Sequence, residues 1–241
     1  MKITDYISYT IDRFPRGYVF TSSDFPAEVN QKEAIIKALN RMVAAGKIAK
    51  LSKGKYYKPE TTPFGILQPV RSQVVKDLLE ENGKTVGYLT GYSIYNSLGL
   101  TTQLSNVIQI GKNVVRPAFK RGQYTISFIK QNNIITKENI PLLQILDAIR
   151  YIQKIPDTTV GKSGKRLSVI LKNLSDTEKS TLVRLALKYP PSARALLGTL
   201  LDTIQADALS QPLYDSLNPI TKYKLPGLKV AFPEADKWNF V

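Results

Sequence analysis

The sequence predicts an α+β protein in two domains, and three observations carry that expectation. Helical and extended patterns alternate over the first 60 residues, and a Pro/Thr/Gly-containing stretch then interrupts them. Beyond it, strand-like segments come first and helices later. With 43% apolar and 22% charged residues in 241, the chain has the composition of a packed core rather than of a disordered tail. The expected units are an N-terminal winged helix-turn-helix domain over residues 1–60 and a larger α+β domain over residues 66–241.

Thr4 to Arg13 reads as a helix with Ile3, Ile7 and Ile11 on one face, ended by Pro15 and Gly17. Val19 to Thr21 follows as a brief extended piece, and Ser22-Ser23-Asp24 offers a cap for a very short helix stopped by Pro26. A longer helix is expected from Asn30, the N-cap, with Glu33 at the third position, to Ala45, with Gly46 in the place of a left-handed C-terminal cap. At 100° per residue, Ala34, Ile35, Ala38, Leu39, Met42 and Val43 share one sector, and Glu33, Lys37, Asn40, Arg41 and Ala44 the opposite one. Lys47 to Leu51 and Tyr56 to Lys58 read as strands joined by Ser52-Lys53-Gly54-Lys55. Ile48 and Leu51 have opposite parity, which predicts a bulge or a late strand start. Helix, brief strand, short helix, longer helix and basic hairpin is the element order of a winged helix-turn-helix.

The charge suits that use. The chain carries 34 Lys and Arg against 19 Asp and Glu, a formal net charge of +15, which favours polyanionic partners. No acid lies between Glu33 and Glu60, where Lys37, Arg41, Lys47, Lys50, Lys53, Lys55 and Lys58 fall. Lys50, Lys53 and Lys55 on the hairpin suit phosphates. Lys37, Asn40 and Arg41, with Lys32 nearer the helix start, carry donors for base edges in the major groove of duplex DNA. A second acid-free run, from Glu81 to Glu138, holds Lys112, Arg116, Lys120 and Arg121, a candidate partner surface.

Between the domains a linker is expected at Pro59 to Gly65, then a helix over Pro69 to Asn82 stopped by Gly83. Strands are expected at Val107 to Ile110 and Tyr124 to Ile129, and helices near 142–153, 175–188 and 192–204. The run Leu89-Thr90-Gly91-Tyr92-Ser93-Ile94-Tyr95-Asn96-Ser97-Leu98-Gly99-Leu100-Thr101-Thr102-Gln103 reads physically as turns around a short helix, with Leu98 and Leu100 in the core. That run also resembles the signature following the winged helix in AbiEi-like proteins, the antitoxins and transcriptional regulators of type IV (abortive-infection, phage-defence) toxin–antitoxin pairs. Leu185-Ala186-Leu187-Lys188-Tyr189-Pro190-Pro191-Ser192-Ala193-Arg194-Ala195-Leu196-Leu197-Gly198 resembles a subfamily of them. The resemblance implies an N-terminal domain that binds inverted repeats in the protein's own promoter. It also implies a C-terminal domain that opposes a nucleotidyltransferase-like toxin, with or without a stable complex.

Catalysis is not expected. The chain has no His and no Cys, which excludes Ser-His and Cys-His nucleophiles, His- or Cys-bound zinc, iron–sulfur clusters and disulfides. Pro156 to Ser163 misses the phosphate-loop pattern by its first Gly and reads as a basic surface loop. Asp176-Thr177-Glu178 has the spacing of a metal-binding carboxylate pair, yet Ser175 and Glu178 fit a capping box. No metal, cofactor or catalytic residue is therefore assigned. No leader-like or spanning apolar run is visible, so a cytoplasmic protein without a membrane partner is expected. The rival reading is a basic RNA-associated protein stacking bases on Tyr88, Tyr92, Tyr95 or Tyr124, or a DNA-binding regulator with no toxin partner.

Overall fold

The computed structural model describes residues 3–25 and 32–241. The expected Asn30 cap, the Pro26 stop and the opening Met1 and Lys2 lie outside the described residues. The fold is α+β, and the chain divides into two units, Met1–Leu79 with Lys120–Tyr124 and Glu80–Phe119 with Thr125–Val241.

The first unit opens with α1 (Ile3–Asp12), which buries Ile7 and Ile11 as their four-residue spacing requires. β1 (Val19–Phe20) follows, then a 3-10 turn at Ser22–Asp24 whose cap is Thr21 rather than a serine. The Thr21 hydroxyl accepts from Ser23 N, and Asp24 accepts from the Thr21 amide at 2.7 Å. α2 (Lys32–Ala44) buries Ile35, Ala38, Leu39 and Met42. Full burial of an Ile, Leu or Met side chain contributes about 1.5–3 kcal/mol each, which fixes that face. Ala34, expected in the core, is exposed instead, because it sits at the margin of the apolar sector. β2 (Ala49–Ser52) and β3 (Lys55–Tyr57) form an antiparallel hairpin, and β1 pairs with β3, giving sheet order β1-β3-β2. The parity break appears both ways, as a strand start at Ala49 and a register shift between Lys50 and Ser52. One core joins Ile7, Ile11, Phe20, Phe25, Leu39, Ile48 and Tyr56.

Residues 59–65, expected as a linker, belong largely to a hairpin of β4 (Glu60–Thr62) and β5 (Gly65–Leu67). The long helix expected over 69–82 is broken into α3 (Arg71–Val74) and α4 (Lys76–Leu79) at Val75, whose φ of −117° leaves the helical range. β6 (Glu80–Glu81) and β7 (Lys84–Thr85) then pair through Asn82 and Gly83, at φ 50° and 74°. Asn-Gly is the dipeptide that a type I′ turn selects, and forming it ends the helix early. Residues 69–79 are tied into the first unit by side chains: Val19 N donates to Gln73 Oε1 at 3.2 Å, and Lys76 Nζ donates to the Tyr18 hydroxyl at 3.1 Å.

The second unit contains β8 (Gly87–Thr90) and β9 (Val107–Lys112). A short β10 (Phe119–Arg121) then leads to β11 (Tyr124–Lys130), and β11, β9 and β8 are successive neighbours in one sheet. β8 runs antiparallel to β9, whereas β11 runs parallel to it from Thr125↔Val107 to Lys130↔Lys112. α5 (Ile140–Arg150), α6 (Val160–Lys172), α7 (Asp176–Ala186), α8 (Pro191–Thr203) and α9 (Asp207–Asp215) follow, with a short α10 (Leu228–Ala231) near the end. α6 overturns the second half of the expected loop at 156–163, residues 156–159 being non-helical as expected. The Thr159 hydroxyl accepts from Lys162 N at 3.2 Å, so residues 160–163 form the first turn of a helix. The Ser175–Glu178 capping box is present in both directions. α8 buries every residue from Ala195 to Asp202 and packs Gly198 against the ring of Trp238. Among the described residues no helix is long and apolar enough to cross a membrane.

Candidate nucleic-acid interface

α2 presents Lys32, Lys37, Asn40 and Arg41 as exposed residues. Lys37, Asn40 and Arg41 lie away from the side chains that hold the helix to the core, whereas Lys32, three residues before Ile35, is on the core side of the helix at its first position. Lys37 and Arg41 are one turn apart, and like charges at that spacing cost an isolated helix about 0.2–0.5 kcal/mol, a cost that an anionic partner removes. Neither side chain has a carboxylate partner within ion-pair distance among the described residues. Asn40 is held differently. The buried Tyr56 hydroxyl on β3 donates to Asn40 Oδ1 at 3.0 Å, which ties α2 to the hairpin and leaves the amide NH2 as the outward group. A bidentate adenine contact uses both ends of the amide, so Asn40 is better suited to donating toward an acceptor.

The β2–β3 turn carries Lys53 exposed at its tip, with Gly54 at φ 72° supplying the left-handed turn residue. Lys50 is exposed on β2, opposite Tyr56. Lys55, expected on phosphate, is turned aside: its Nζ lies 3.1 Å from Asp77 Oδ2, and its side chain is 18% exposed. Asp77 is also gripped by Arg121, whose Nη1 and Nη2 donate to its carboxylate at 2.6 and 3.0 Å and whose Nη1 donates to Val74 O at 2.8 Å. Burial acts to raise the Asp77 carboxyl, but Arg121 and Lys55 more than offset it and hold the carboxyl below its ordinary range. Lys58 likewise turns inward, donating to Asp12 O at 2.8 Å and Phe14 O at 3.1 Å at the end of α1.

The second acid-free run does not act as one group. Arg121 is buried in the first unit on Asp77, and Lys120, its neighbour on β10, is exposed. Lys112 and Arg116 belong to the second unit, where the Arg116 guanidinium stacks 4.6 Å from the Phe119 ring and 5.3 Å from that of Phe128. Of the tyrosines considered for stacking, Tyr88, Tyr95 and Tyr124 are buried and Tyr92 is half-buried.

A polar group is buried in the second unit around Asp147, a residue to which the sequence alone assigns no role. Asp147 is 1% exposed, and its carboxylate accepts from Tyr88 and Thr90 at 2.7 Å each and from Tyr189 at 2.9 Å. Gln131 Nε2 donates to the Tyr88 and Tyr189 oxygens at 2.8 Å each, and Gln131 Oε1 accepts from Asn133 N. Burial pushes the Asp147 carboxyl up, against those hydrogen bonds and the charge of Arg150. A lone Asp on the apolar face of α5 was the available signal, since a carboxylate there must find donors. Among the described residues no three His, Cys, Asp or Glu side chains group where they could hold a metal ion.

No curated protein matches the chain. In fold it is similar to the RV2827C protein from Mycobacterium tuberculosis, at 15% identity and a TM-score of 0.58, over 91% of this chain and 83% of that one. A family model matches residues 6–178, from α1 into α7, and the chain therefore belongs to DUF6088, a family of unknown function.

Proposed function

We propose that this protein is a DNA-binding transcriptional autoregulator and the antitoxin of a type IV toxin–antitoxin pair, acting in the cytoplasm without a catalytic site of its own. The observation that carries the DNA half is the exposed Lys37–Arg41 ridge of α2 beside a hairpin that ends in Lys53, in a stretch without an acid. The order α1, β1, α2, β2, β3 and the sheet order β1-β3-β2 support the winged-helix reading, in which α2 enters the major groove and the hairpin follows the backbone. The burial of Tyr88, Tyr95 and Tyr124 favours duplex DNA over stacked single-stranded RNA.

The antitoxin half rests on the resemblance of residues 89–103 and 185–198, and it names a nucleotidyltransferase-like toxin as the partner. An electrophoretic titration of the intact protein against its upstream region, with a scrambled duplex as control, tests the first half. Retardation of both duplexes at equal concentration would reject an operator-reading role. Co-expression with the adjoining gene product, read as growth, tests the second. Continued arrest beside the intact, folded protein would leave a DNA-binding regulator with no toxin partner.

A further inference from the structure

A cleft in the second unit, independent of the DNA-binding reading, gathers cations on a rigid polar floor. It is lined by Lys130 at the end of β11, Arg150 at the end of α5, and Lys188, Tyr189 and Pro190 leading into α8, with Gln131 and Asn132, and encloses about 280 Å³. That lining contains no acidic side chain.

The floor is held by the buried network described above. Tyr189 donates to Asp147 and accepts from Gln131, so neither Tyr189 nor Gln131 is free to rotate out of place. Hydroxyls occupy both Asp147 oxygens. The Arg150 guanidinium lies 4.9 Å from the Tyr151 ring centre, and stacking leaves the in-plane N–H groups of a guanidinium available. Lys130 Nζ donates to Asn113 O, which places that charge, and the Lys188 side chain is exposed. α8 starts at Pro191 after the N-cap Pro190, with no side chain capping that end. Cations from separate elements around a polar pocket, with no counter-anion in its lining, match the charge and tetrahedral acceptor geometry of phosphate.

We propose that this cleft binds a phosphate group, with Arg150 and Lys188 as the principal donors and Lys130 as a supporting charge. This gives a role to Lys188-Tyr189-Pro190, a part of the 185–198 run that the DNA reading does not use.

Calorimetric titration of the intact protein at constant ionic strength, with inorganic phosphate and with adenosine monophosphate as probes, tests it. Wild type should bind at least one probe saturably, and R150Q/K188Q should bind it about tenfold or more weakly. K162Q/K165Q removes the same charge from exposed positions that do not line the cleft, and should bind as wild type does. K188Q alone, changed at an exposed position, should lose about threefold and keeps the test open if R150Q fails to fold. Tighter binding of adenosine monophosphate would assign the phosphate to a nucleotide, and equal binding to free phosphate. Absence of saturable binding, wild-type affinity in K188Q, or equal losses in the two double variants would overturn the proposal, the last because it would reduce the effect to net charge.

Discussion

Lys53 and Lys55 flank the same glycine on the same hairpin, and the structure predicts opposite consequences for removing them. Lys53 is exposed at the tip, whereas Lys55 is held on Asp77 at 3.1 Å. If Lys53 neutralises one phosphate, K53A should reduce the slope of log K against log salt by about 0.9. Between about 50 and 200 mM salt, that corresponds to a loss of affinity about 3.5-fold smaller than in wild type. K55A should leave the slope unchanged and cost at most about 1 kcal/mol of stability, because Asp77 is partly exposed and keeps Arg121. K53A/K55A should therefore change the slope by about 0.9, not by the roughly 1.8 expected of two phosphate contacts. Fluorescence anisotropy with a labelled duplex over a salt series reads all three variants, and the effect should be the same on operator and scrambled DNA. An unchanged slope in K53A, or a change in K55A as large as that in K53A, would refute this division between the two lysines.

On α2, R41A should lower discrimination between operator and random duplex by about 1–3 kcal/mol if Arg41 makes a bidentate guanine contact, with N40A losing less because Asn40 Oδ1 is occupied by Tyr56. Competition titrations decide this, and equal losses on both duplexes would place Arg41 on phosphate alone. G198A should destabilise by about 1–3 kcal/mol despite a helix-propensity gain near 1 kcal/mol. An added Cβ would stand 2.1 Å from a ring carbon of Trp238, whose Nε1 is anchored to Asp202 at 2.9 Å. An unchanged or raised urea midpoint for G198A would contradict that packing. For Asp147, burial raises the folded carboxyl above its unfolded value of 3.8, so the native state holds the proton more tightly. The corresponding stability is present below the unfolded value and is lost as pH rises through the folded one. Relative to D147N, wild type should thus lose stability as pH rises above about 4; denaturant midpoints that move in parallel as pH is raised would refute it.

Features made by groups a few residues apart were legible in the letters alone. The Ser175–Glu178 capping box, the α2 core face and the β2 bulge each follow from local spacing, because the groups that make them are brought together by one turn of helix or one strand pair. The end of the helix at Leu79 is also written locally, in Asn82-Gly83, although the apolar spacing over 69–82 points the other way. Which charges remain available was settled instead by packing between distant segments. Lys53 and Lys55 are equivalent as letters, and the difference between them is Asp77, brought to the hairpin by α4 and gripped in turn by Arg121 from β10. Asn40 is limited by Tyr56 on the neighbouring strand, and Asp147 becomes the centre of a buried network only when β8, Gln131 after β11 and the segment before α8 converge on α5. Hydrogen bonds and ion pairs act over about 3 Å, so the sequence specifies their partners only through the fold that brings distant residues to that distance.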